Sequence, residues 1–89
     1  MIRHEAIDDD DLRRLIITGH IRYGGNMPLR VYGRLDCSLG KRMKRLSRVF
    51  FGDAAEAPEA GFRPCGHCLR HDYARWKDQA THAASGNRR

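Results

Sequence analysis

No apolar run in this chain is longer than that from Leu15 to Ile17, far short of the about 20 residues that a membrane-spanning helix requires. A membrane protein of the helical kind is therefore not expected. Cysteine is scarce and odd in number, with three in 89 residues, so a complete disulfide framework would leave one thiol over. Metal ligation suits such a set better than bridging. The opening residues Met1-Ile2-Arg3-His4-Glu5, followed by the four aspartates Asp8 to Asp11, lack the basic start and apolar run of a secretory signal. The expectation is a cytoplasmic protein whose cysteines stay reduced.

Acidic residues are nearly missing from one stretch. Between Arg30 and Arg48 the sequence carries Arg34, Lys41, Arg42, Lys44 and Arg45 besides those two, against Asp36 alone. The formal net charge is +6 and the pI about 9.8, which favours an anionic partner. Apolar residues make up 40% of the chain and the mean hydropathy is -0.69. A chain this short buries a modest share of its surface, so one domain held by some staple is the expected architecture.

Periodicity supplies the elements. The aspartates precede Leu12, Leu15 and Ile16, an apolar i, i+3, i+4 pattern with carboxylates at the positive end of the helix dipole, which predicts a helix from about Asp9 to Thr18 closed by Gly19. Tyr23-Gly24-Gly25-Asn26-Met27-Pro28 reads as a turn or loop. Leu29 to Leu35 alternates as a half-buried strand, with Gly33 marking a bulge or a close approach. The basic stretch Ser38 to Ser47 is expected to be a loop or irregular turn. Arg48-Val49-Phe50-Phe51 forms a second strand, and Asp53 caps a short helix at Ala54 to Ala60 that Pro58 confines to its first turn. Leu69, Tyr73 and Trp76 at i, i+4, i+7 predict a final helix to about Gln79 and a core role for these three, leaving residues 80–89 as a frayed polar tail. The fold class is α+β: a short antiparallel sheet with an N-terminal, a middle and a C-terminal helix, in a single domain over residues 1–79.

Cys65-Gly66-His67-Cys68 has the two-residue gap that lets two thiolates converge on one ion, and Gly66 tolerates the tight turn between them. Cys37, at the end of a predicted strand, is the distant partner that a structural site usually recruits. Three thiolates select Zn²⁺ over Mg²⁺ or Ca²⁺, and one ion is expected. The fourth ligand is open. His71, three residues beyond Cys68, is the first candidate, His4 the second, and His67 is disfavoured because it abuts Cys68.

The stretch Gly61-Phe62-Arg63-Pro64-Cys65-Gly66-His67-Cys68, with Glu56-Ala57 a short spacer upstream, resembles the N-terminal zinc-binding domain of the Ada DNA-repair proteins. The resemblance runs from about Asp8 to Trp76. It implies an N-terminal helix ahead of a small antiparallel sheet and one zinc ion held by four cysteines, one of which accepts a methyl group from DNA methylphosphotriesters. The family pattern has Cys-x-x-x-Cys after its first strand, where this chain has Gly33-Arg34-Leu35-Asp36-Cys37. One alignment puts Gly33 at the methyl acceptor and Cys37 at the second, structural position. The other puts Cys37 at the acceptor and Lys41 at the second, with a poorer fit to the spacing before Cys65.

The first alignment implies a chain that is not an enzyme. The leading expectation is a monomeric zinc-binding module that meets nucleic-acid phosphate, DNA by the resemblance, through Arg34, Lys41, Arg42, Lys44, Arg45 and Arg48. The alternatives are a methylphosphotriester methyl acceptor and a protein-protein adaptor. A thiol-disulfide enzyme built on Cys65 and Cys68 would need a βαβ setting that the chain is too short to provide.

Overall fold

The structure is a computed structural model and describes residues 1–37 and 43–86, residues 80–86 by their backbone alone. Helix α1 spans Asp9–Ile17. Asp8 caps it, its carboxylate accepting the Asp11 backbone N–H at 2.8 Å, and Asp9, Asp10 and Asp11 fill the first turn as the dipole argument requires. The chain leaves the helix through Gly19, in the left-handed region at φ 80.

Among the described residues five strands follow the sequence as β1 (Ile2–Arg3), β2 (Tyr23–Asn26), β3 (Val31–Arg34), β4 (Arg48–Phe51) and β5 (Arg63–Pro64). They form one sheet in the order β1-β4-β2-β3-β5. All neighbours run antiparallel except β3 and β5, which are parallel. The segment expected to be a loop at Tyr23 to Pro28 therefore begins with the central strand. Its glycine pair does not break regular structure; it makes room. A β-carbon on Gly25 would stand 2.9 Å from the Phe51 ring and 3.0 Å from Val49 Cγ2, so the bare backbone is what lets these side chains close over the middle of the sheet. The turn proper is Met27 to Arg30. Asn26 accepts the Arg30 N–H on its carbonyl at 2.8 Å and the Leu29 N–H on Oδ1 at 3.1 Å, which leaves Arg30 at φ 56.

Register divides the sheet into two faces, because residues directly opposite on antiparallel strands share a face. Gly25 lies between Tyr32 and Val49, and that face carries the core of Tyr32, Val49, Phe51, Ala57 and Phe62, with Tyr23, Met27 and Leu69 packed at its margin. Gly24 lies between Gly33 and Phe50 and opens the other face, where Phe50 is covered by His4 and Arg48.

The remaining elements depart from expectation mainly at their ends. Helix α2 is confined to Glu56–Glu59, shorter than Ala54 to Ala60, because the Asp53 carboxylate takes the N–H groups of Ala55 and Glu56 at 3.0 and 2.8 Å and holds the preceding residues in a turn. Helix α3 spans Arg70–Gly86, beyond Gln79. Leu69 and Tyr73 are half-buried, but Trp76 is 38% exposed and stacks on Tyr73 instead of entering the core. Of the expected basic loop, Arg45–Ser47 is a single 3-10 turn and residues 38–42 lie outside the described residues. Among the described residues no helix is long and apolar enough to cross a membrane.

Candidate metal centre

Strands β3 and β5 build the site. Their parallel register pairs Val31 with Arg63 and Tyr32 with Pro64, so the next step along both strands brings Gly33 level with Cys65. The Cys65 N–H donates to the Tyr32 carbonyl at 2.7 Å and fixes that level. Beyond it the knuckle turns back into α3, with the Leu69 N–H on the Cys65 carbonyl at 3.0 Å, which returns Cys68 to the sheet. Cys37 arrives from the end of β3 through a turn in which its N–H donates to the Arg34 carbonyl at 3.1 Å.

The three sulfurs lie within 4.8 Å of one another. A tetrahedral zinc with Zn–S bonds of about 2.3 Å separates its sulfurs by about 3.8 Å, so a small contraction closes this group around an ion. Backbone N–H groups already point at the sulfurs: Arg34 at Cys68 Sγ, 3.3 Å, and His67 at Cys65 Sγ, 3.4 Å. Such donors favour a thiolate. Burial pushes the Cys68 thiol up to about 12 in the metal-free chain; the Arg34 N–H opposes the rise and the neighbouring Cys37 and Cys65 thiols add to it. A divalent cation among the three would hold each as thiolate. The donor set fits zinc.

Gly33 touches this group directly. A β-carbon built on it would lie 2.6 Å from Cys68 Sγ and 3.2 Å from Cys65 Cβ. The close approach expected of a mid-strand glycine is thus an approach to the thiols.

Among the described residues no histidine, aspartate or glutamate joins the three cysteines. His71 is exposed on the first turn of α3. At about 100° per residue it projects roughly 200° away from Leu69, whereas Leu69 and Tyr73 occupy the inward face. His67 is exposed beside the site. His4 is half-buried on the far side of the sheet face, edge-on to Phe50.

The basic residues divide. Arg34 pairs with Asp36 at 2.8 Å, and Arg45 pairs with Asp9 at 3.2 Å while donating to the Ile7 carbonyl. Lys44 is exposed. Arg48 is half-buried over the Phe50 ring, 5.2 Å from its centroid, and its Nε has no hydrogen-bond partner among the described residues. Lys41 and Arg42 lie outside the described residues. A cavity of about 430 Å³ runs from Cys37 and Cys65 across Gly33 and Gly24 to Arg48. Sequence reasoning passed over Gly24 and Arg63, which also line it; the pairing of Gly24 with Gly33 depends on strand register, which no local motif encodes.

A mixed sheet whose edge carries three converging cysteines defines a small metal-thiolate domain of the α+β class. Residues 16–70 match the model of the metal binding domain of Ada, and the chain belongs to that family. No curated protein and no solved structure matches it.

Proposed function

We propose that the chain is a zinc-stabilised binding module that holds one ion through Cys37, Cys65 and Cys68 and meets nucleic-acid phosphate with its basic residues, and that it does not transfer methyl groups. The contact of residue 33 with the cysteine group carries this reading. In the alignment that puts Gly33 at the acceptor position, residue 33 borders the cysteine group so closely that a β-carbon there would crowd Cys65 and Cys68; Cys37 is then the structural second ligand. A glycine there offers no nucleophile.

Bound zinc would tie the end of β3 to the start of α3, supplying the staple that a domain of this size requires. The residues themselves do the rest: the N–H groups of Arg34 and His67 orient two sulfurs, and the chain's excess of positive charge attracts phosphate. Exposed Lys44, with Lys41 and Arg42 beside it in sequence, is best suited to that contact, since Arg34 and Arg45 already hold carboxylates. A monomer in a reducing, cytoplasmic setting accords with three cysteines committed to a metal.

The experiment is a titration of zinc-loaded protein with duplex and single-stranded oligonucleotides at low and moderate salt. Salt-sensitive binding of micromolar or weaker affinity is expected. Failure to bind either at low salt favours the protein-protein adaptor, and methylation of Cys37 by a phosphotriester substrate favours the repair reading.

A further inference from the structure

Among the described residues the group offers three thiolates, one ligand fewer than the four that a tetrahedral zinc site takes. Gly33, Cys37 and Cys65 line a cavity of about 430 Å³, a volume within the range of small-molecule sites. Its floor is the bare backbone of Gly24 and Gly33, paired across β2 and β3. Leu29, Val31 and Met43 give it an apolar lining, and Arg48 stands at its far side. The buried Nε of Arg48, without a hydrogen-bond partner among the described residues, lies 3.8 Å from where a Gly24 β-carbon would be, so the guanidinium stands beside this glycine floor.

We infer that this cavity receives a small thiol bearing a carboxylate, whose sulfur completes the metal's coordination and whose carboxylate meets Arg48. The inference rests on the zinc-module reading. Sulfur is the donor that matches a thiolate set, and the short carbon chain between the two groups suits the apolar lining. Zn²⁺ with three thiolates carries a net charge of −1, which a fourth thiolate takes to −2; a half-buried guanidinium offsets the added charge and offers a charge-assisted hydrogen bond. On binding, the thiol's proton passes to solvent as the sulfur-metal bond forms, and nothing is oxidised or reduced.

The test loads the full chain with Co²⁺ and titrates it with mercaptoacetate, 2-mercaptoethanol and acetate. Both thiols are expected to intensify the thiolate-to-cobalt charge-transfer absorption saturably, mercaptoacetate at about tenfold lower concentration, and acetate to leave it unmoved. Arg48→Met is expected to narrow the gap between the thiols to less than about twofold, the carboxylate having lost its partner. Gly33→Cys is expected to show the four-thiolate spectrum beforehand and to answer neither thiol. Cobalt that binds but does not respond to thiols overturns the proposal, as does a four-coordinate spectrum that collapses when His67 or His71 is replaced by alanine, because the fourth ligand is then the chain's own. A chain that binds no cobalt or zinc overturns the zinc-module reading itself.

Discussion

His4 stands edge-on to Phe50, the ring centroids 5.2 Å apart and the planes at 69°, and among the described residues neither of its buried nitrogens has a hydrogen-bond partner. Burial lowers its pKa from the ordinary 6.5, Arg45 and Arg48 lower it further, and Asp9 opposes them. The unfolded chain therefore takes up the proton more readily than the folded one. Stability from this residue is fully present above pH 6.5 and is lost as pH falls through the folded value. Thermal unfolding of the zinc-loaded protein and of His4→Leu, followed across that window, is expected to show a steeper loss below pH 6.5 in the parent. Protonation of the thiolate ligands acts on both proteins alike and cancels in the difference. Parallel curves would remove His4 from the account.

Substitution at Gly33 separates crowding from ligation. In Gly33→Ala the new methyl must displace Cys68 Sγ and press on Cys65 Cβ, an overpacking of about 1–3 kcal/mol with no gain, so zinc affinity falls. Gly33→Cys meets the same crowding in the metal-free state but adds a fourth thiolate, so its zinc is expected to resist a competing chelator at least about tenfold better than the parent's. Equal chelator resistance in the cysteine and alanine variants would contradict the placement of residue 33 in the ligand set.

Removal of the metal is expected to unfold the domain, because structural zinc supplies about 10–16 kcal/mol of apparent binding energy in small domains. Cys65→Ser and Cys68→Ser are expected to reproduce the chelated state. Circular dichroism decides it: native signal retained after chelation would mean that the core around Tyr32, Val49, Phe51 and Phe62 stands without the ion.

The legible part of this fold was the part written in local chemistry. Four aspartates ahead of an apolar period placed α1 to within a residue of its end, and the aromatic run at Arg48–Phe51 is β4 as read. The knuckle and its distant cysteine announced the thiol group that the fold assembles. The central strand was missed because Gly24 and Gly25 carry no side chains to show alternation; they are strand residues only because β3 and β4 close on both sides. Two-residue strands such as β1 and β5 hold no period at all, and β5 exists because it lies against β3. The same blindness to register hid the cavity, whose floor is made of glycines that meet only when β2 and β3 pair.

Phosphate binding is separable from folding only at some of the cations. Arg45 ties the turn at Arg45–Ser47 to α1 through Asp9 and to the Ile7 carbonyl, and Arg48 covers Phe50, so replacing either perturbs the fold as well as the charge. Lys44 is exposed, and Lys41 and Arg42 stand beside it in sequence. Their joint replacement by alanine is expected to leave zinc content and melting temperature unchanged, to remove most oligonucleotide affinity at low salt, and to flatten the salt dependence by about 0.9 in logarithmic slope for each duplex phosphate no longer neutralised. A weaker affinity with the slope intact would mean that these residues act through something other than counterion release. Full retention of both would move the interface away from this segment, leaving Arg30, Arg34 and Arg63 as the cations to replace next.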